Sequence, residues 1–131
     1  EKVLSREDLA TLTAAVRKIY LPEVVANYIA RLVDATHAGS KASAAIKFGA
    51  SPRAALALAS AAKARALMQG RINASFEDVA AVAAPVLVHR ILLQYEARIE
   101  GRSPGDVVTE LLAEVPRQPL AVAPTLKSVE S

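Results

Sequence analysis

Apolar residues recur along this chain at intervals of three and four, and polar helix starts divide them into segments. Ser5-Arg6-Glu7-Asp8 has the form of a capping box, in which a serine hydroxyl takes the N–H three residues on and an acid reaches back. Leu9, Leu12, Val16 and Ile19 follow it, so the spacing predicts a first amphipathic helix. Pro22 precedes a second, with Val25, Tyr28, Ile29 and Leu32 on one stripe and an end near His37-Ala38-Gly39. Gly39 to Gly49 reads as a connection, partly helical where Lys41 to Lys47 is rich in alanine.

Ser51 opens a third helix expected to run to Gln69 and stop at Gly70. Its residues are nearly all small or apolar, so it is expected to lie buried at the centre of the domain. Ser75-Phe76-Glu77-Asp78 is a second capping box, leading into Val79 and Val82, with Pro85 expected to break or restart the helix. Val88, Ile91, Leu92 and Tyr95 continue the helical spacing, and Ser103-Pro104-Gly105-Asp106 repeats the start signal before Val107, Val108, Leu111 and Leu112. Apart from an extended piece at 71–74, no strand-like alternation runs beyond a few residues. The pattern predicts an all-α fold, a compact helical bundle of about five to six helices over residues 1–116. Pro116, Pro119 and Pro124 mark residues 117–131 as a flexible, disordered C-terminal tail.

Composition narrows the chemistry. Hydrophobic residues make up 53% of the 131 positions and aromatics only 4%, so the core must be aliphatic. There is no cysteine, and His37 and His89 lack ligand spacing, so no metal site is expected. The net charge of +3 comes from 16 basic residues scattered among 13 acids, without a block of one sign, which makes nucleic acid an unlikely partner. Val79 to Val88 is too short to span a membrane and contains Pro85. The chain opens on Glu rather than Met. It is expected to be a soluble cytoplasmic segment of something larger.

One helix start carries a cation where the helix dipole favours an anion. In Gly49-Ala50-Ser51-Pro52-Arg53, Ser51 suits the N-cap, Pro52 suits the first helical position, and Arg53 falls in the first turn beside unpaired N–H groups. A cation there is disfavoured by a few tenths of a kcal/mol, about 0.3–1 in exposed settings, unless an anion neutralises it. Such a turn is suited to a phosphate. No phosphate-binding Gly-x-x-x-x-Gly-Lys-Ser/Thr loop, Walker B acid or nucleophile triad accompanies it, so the chain alone is not expected to be an enzyme. A self-standing helical module that binds nucleic acid or a partner protein through a basic face is the alternative from composition.

Ile46-Lys47-Phe48-Gly49-Ala50-Ser51-Pro52-Arg53-Ala54 resembles the start of the third helix in the C-terminal lid of MoxR-type AAA+ ATPases. Ala61-Ala62-Lys63-Ala64-Arg65-Ala66, Gly70-Arg71, Ala74-Ser75-Phe76-Glu77-Asp78-Val79 and Val86-Leu87-Val88-His89-Arg90-Ile91 resemble later elements in the same order. Upstream, Tyr28, Ile29, Leu32, Val33, Ala35 and Thr36 fit the preceding helix. The resemblance covers about residues 5–116 and implies a lid over nucleotide held by an N-terminal AAA+ core of the same protein. It further implies ATP with Mg held through that core, ATP hydrolysis by the parent protein, neighbouring subunits of a ring, and a client matured by a chaperone-like machine. Arg53 occupies the place of the sensor 2 arginine that meets the nucleotide phosphates, with Gly49, Ser51 and Pro52 as its supporting turn. His89 and Arg90 are expected to make structural or interface contacts. Arg65, Arg71 and Lys47 are expected to be solvated charges. His37 departs from the family, which often has arginine after Ala-Thr, and Phe76 replaces its usual proline.

Overall fold

In the computed structural model, which describes residues 3–118, six helices follow one another. They are α1 (Arg6–Arg17), α2 (Glu23–Ala35), α3 (Pro52–Met68), α4 (Phe76–Leu87), α5 (Tyr95–Ile99) and α6 (Pro104–Glu114). A 3-10 turn, Ala42–Ala45, leads into strand β1 (Ile46–Phe48), which pairs antiparallel with β2 (Leu92–Leu93). All three Ser-x-x-Asp starts form complete capping boxes, Ser5 with Asp8, Ser75 with Asp78 and Ser103 with Asp106. Gly70 takes positive φ just beyond the end of α3, as that stop signal requires, whereas α2 ends at Ala35 with Thr36 as its cap, before Gly39, which also has positive φ.

The helix α3 buries one stripe, Ala54, Leu58, Ala62 and Ala66, each with no solvent exposure. The three alanines of this stripe let α4 approach closely, with Val79 and Ala83 in the same core cluster, while Leu32 of α2 and Leu111 of α6 complete the core. The expectation of a helix buried on all sides is corrected, because Arg53, Leu56 and Met68 face solvent. Tyr28 of α2, also fully buried, sets its ring edge-to-face against Phe76 at 5.5 Å.

Other departures from the pattern have local causes. Pro85 neither breaks nor restarts α4, which runs on to Leu87. Its missing N–H costs α4 the bond to the Ala81 carbonyl, but both residues lie on the exposed side, where water can meet that carbonyl. Beyond α4, Ile91 and Leu92 do not continue the helix, and Tyr95 opens the separate α5. Ile91 and Leu93 are buried and Leu92 is exposed, so the apolar residues expected on a helical face alternate along an extended segment instead. Likewise Lys41 to Lys47 ends in a strand, where Ile46 is buried opposite Leu93. The extended piece at 71–74 is present, and Asn73 bridges Tyr20. The helix α1 forms as its spacing predicts, yet buries no residue; Leu9 and Leu12 are exposed.

The segment after α6 turns back onto the bundle. Arg31 donates to the carbonyls of Pro116 and Arg117, and Arg117 pairs with Glu77 at 2.6 Å. Arg117, the first residue of the expected tail, is therefore held, and residues 119–131 lie outside the described residues.

Candidate functional site

The connection from α2 to α3 is fixed by two adjacent side chains. Thr36 caps α2, and its buried hydroxyl donates to the Val33 carbonyl at 2.7 Å while accepting from the Ala50 N–H at 2.9 Å. His37 Nε2 lies 2.6 Å from the Ala50 carbonyl, an acceptor, so Nε2 carries the hydrogen. Both polar groups of fully buried Ala50 are thereby satisfied across the chain. A Cβ on Gly49 would fall 2.8 Å from both His37 Nδ1 and Thr36 Oγ1, closer than real contacts allow. Glycine is needed at this position for close approach rather than for a special φ.

From this fastened point the chain enters α3 with Ser51 at the N-cap, Pro52 at the first helical position and Arg53 at the second. The serine has the extended backbone of a cap, but its side chain accepts no hydrogen bond from the first turn. The Ala54 N–H that would meet it donates instead to the Ser51 carbonyl at 2.8 Å. The other three serine-led starts place aspartate three residues on, which also bonds back to the cap N–H, whereas α3 has Ala54 there and no acid in its first turn. Arg53 is exposed, and among the described residues it makes no ion pair. Pro52 has no N–H, and those of Ala50 and Ala54 are taken, so the turn offers chiefly the exposed Arg53 guanidinium at the positive end of the helix dipole, which suits an anion and supplies no nucleophile or general base.

The other sequence candidates are placed apart from this turn. His89 and Arg90 follow α4 on an exposed turn, where Arg90 Nη1 donates to His89 Nε2 at 2.9 Å. They are not part of the core. Lys47 lies with its ammonium 5.5 Å from the Phe48 ring centroid, both side chains being exposed. Among the described residues no cluster of His, Cys, Asp or Glu could hold a metal, and no helix is long and apolar enough to cross a membrane.

Arg65 and Arg71 are not simply solvated. Both converge on the carboxylate of Asp78, which has no solvent exposure, at 2.7 and 2.5 Å. Ser75 adds its N–H at 2.8 Å and its hydroxyl at 3.0 Å. The Arg71 guanidinium foremost, with Ser75 and Arg65, holds the Asp78 pKa well below the carboxylate range although burial pushes it up. This cluster joins α3, the Gly70-Arg71 turn and the start of α4. Arg102 on Glu110 and Arg117 on Glu77 are two further arginines paired with acids of the same chain. The sequence showed Asp78 as a cap, but nothing in a capping box tells that its outer oxygens will be buried against two arginines.

A model of the AAA lid domain family matches residues 39–111. The chain belongs to the AAA lid domain family, in its MoxR-type branch. The lid is 30% identical to the chaperone MoxR1 of Mycobacterium tuberculosis over 98% of its own length and 37% of that protein. It is 32% identical to the uncharacterized protein YeaC of Bacillus subtilis over 88% of its length and 35% of that one. A solved structure from Cytophaga hutchinsonii, of a protein assigned as an ATPase, superposes on 88% of the lid and 37% of that chain, with a TM-score of 0.79 and 33% identity. The lid thus spans a little over a third of the length of the relatives it matches. Its matched region takes in the Gly49–Arg53 turn, the Asp78 cluster and the β1–β2 pair.

Proposed function

We propose that this lid closes over ATP bound by an AAA+ core in the same protein and presents Arg53, as the sensor 2 residue, to the nucleotide phosphates. The observation that carries the reading is the start of α3: an exposed arginine at the second position of a helix without a side-chain cap and without an acid in its first turn. An exposed guanidinium at the positive end of a helix, with no acid in the first turn, suits an anionic partner such as a phosphate. ATP would supply the cleavable phosphoanhydride, and Mg would be held through the core. Arg53 would bind and orient a phosphate oxygen and offset charge that grows there as the bond breaks. Holding the guanidinium on a helix fastened to the bundle keeps it oriented as the lid moves.

On this reading the parent protein is an ATP hydrolase that works with neighbouring subunits of a ring, as a chaperone-like machine maturing a client in the cytoplasm. The MoxR1 chaperone among its relatives supports that direction. Arg53→Ala in the full-length ATPase is expected to lower ATP turnover by about a hundredfold, the scale for losing one pre-oriented charge-stabilising donor. Circular dichroism should remain unchanged, because Arg53 holds nothing in the bundle. Wild-type turnover in this variant would refute the reading.

A further inference from the structure

We infer that Thr36 and His37 are positioning residues that set the aim of Arg53, through a latch on the backbone of Ala50. The inference rests on the proposed phosphate role of Arg53. Ala50 stands three residues before Arg53, and both its N–H and its carbonyl are gripped, by Thr36 Oγ1 at 2.9 Å and His37 Nε2 at 2.6 Å. Those two groups come from the end of α2, whose residues Tyr28, Ile29, Leu32 and Val33 are buried in the core. The α3 start is thus tied at two points to an element anchored elsewhere, where a serine cap tied only to its own helix would leave the entry angle freer.

Gly49 belongs to the same device. The absence of a Cβ lets the His37 ring and the Thr36 hydroxyl come within 2.8 Å of where one would stand. The imidazole is itself exposed rather than packed in the core, so its bond to Ala50 orients the loop and contributes little burial. Because the ring acts here as an Nε2–H donor, a glutamine amide can stand in for it, whereas alanine cannot. Loss of the latch would leave the helices folded and let the first turn of α3 wander, and small displacements of a charge-stabilising group cost rate steeply.

The test is a double-mutant cycle in the full-length ATPase, with single variants His37→Ala, His37→Gln, Thr36→Val and Arg53→Ala and the pair His37→Ala/Arg53→Ala. His37→Ala is expected to lower kcat about fivefold, the factor for one lost hydrogen bond, with melting unchanged within a few degrees. His37→Gln should restore kcat to within about twofold of wild type, and His37→Ala should add less than about twofold once Arg53 is gone. Hydrogen–deuterium exchange of the peptide spanning residues 49–54 supplies a readout independent of turnover. It should quicken in His37→Ala and Thr36→Val and return to the wild-type rate in His37→Gln. If Arg53→Ala leaves turnover intact, the phosphate reading fails and the latch has nothing to aim. If Arg53→Ala is impaired but His37→Ala is not, or costs the same factor in both backgrounds, the latch proposal alone is overturned. Exchange unchanged in His37→Ala, or a glutamine variant as impaired as the alanine one, overturns it as well.

Discussion

Replacing Asp78 by asparagine keeps the shape of the side chain and removes its charge from a place with no solvent exposure. Five hydrogen bonds end on that carboxylate, three from the two guanidiniums and two from Ser75. Removing one partner of a buried ion pair costs about 3–5 kcal/mol. Here the freed side chains of Arg65 and Arg71 keep 33% and 37% of their surface in water and can rehydrate, so the loss should be smaller. We expect Asp78→Asn to destabilise the domain by about 2–3 kcal/mol, below the full buried-pair figure because of that screening. Urea unfolding followed by far-UV circular dichroism measures it, with a shifted midpoint and an unchanged slope. Asp106→Asn is the internal control, since Asp106 occupies the same capping-box position on an exposed helix start. Its effect should be clearly smaller. Equal losses for the two variants, or a loss below about 1 kcal/mol for Asp78→Asn, would refute the reasoning, since that is the scale of an exposed pair. The pH dependence gives a second handle. Asp78 has its pKa depressed from the ordinary 3.8, so its stabilising contribution is complete above that value and lost as pH falls toward the folded one. The gap between wild type and Asp78→Asn should therefore narrow as pH drops below about 4.

Leu58→Ala should cost about 2–5 kcal/mol in the same unfolding assay, because Leu58 is fully buried in the α3 stripe and a rigid interface can collapse only in part; a loss under 1 kcal/mol would contradict the packing. Pro85→Ala should stabilise by about 1 kcal/mol, since Pro85 sits inside α4 on its exposed side and alanine restores an N–H there; a lower melting temperature would show that the proline serves a contact instead. Fluorescence anisotropy of labelled DNA or RNA should stay flat at low salt when this chain is added, because Arg65, Arg71, Arg102 and Arg117 are paired internally; tight, salt-sensitive binding would favour the basic-face alternative. Purified alone, the chain should show no ATP turnover, as neither a Walker A nor a Walker B sequence is present; activity that co-purifies with it through successive columns would contradict this.

Helix starts were legible in the sequence because a capping box is local: Ser5, Ser75 and Ser103 each meet their aspartate within one turn. The bundle was legible too, and the lid resemblance placed its elements in order. What periodicity could not tell was conformation in short apolar runs. Leu92 and Leu93 fit a helix and a strand equally, and only pairing with Ile46 and Phe48 decides between them. The α1 stripe was read correctly as a helix face but not as an exposed one, since burial depends on a partner surface and not on spacing. At the candidate site, Arg53 and its turn were visible as an electrostatic mismatch. The hold of Thr36 and His37 on Ala50 was not, because those residues stand 14 and 13 positions from it and carry no motif. Gly49 was the available signal, and its reason lies in the side chains that crowd it.

A crystal structure of the full-length ATPase with a non-hydrolysable ATP analogue bound and the lid closed tests the central claim most directly. The account expects an Arg53 guanidinium nitrogen within about 3 Å of a nucleotide phosphate oxygen, the range of charge-assisted hydrogen bonds, with the His37–Ala50 contact retained. Arg53 turned to solvent, or paired with a carboxylate of the core while nucleotide is bound, would contradict it.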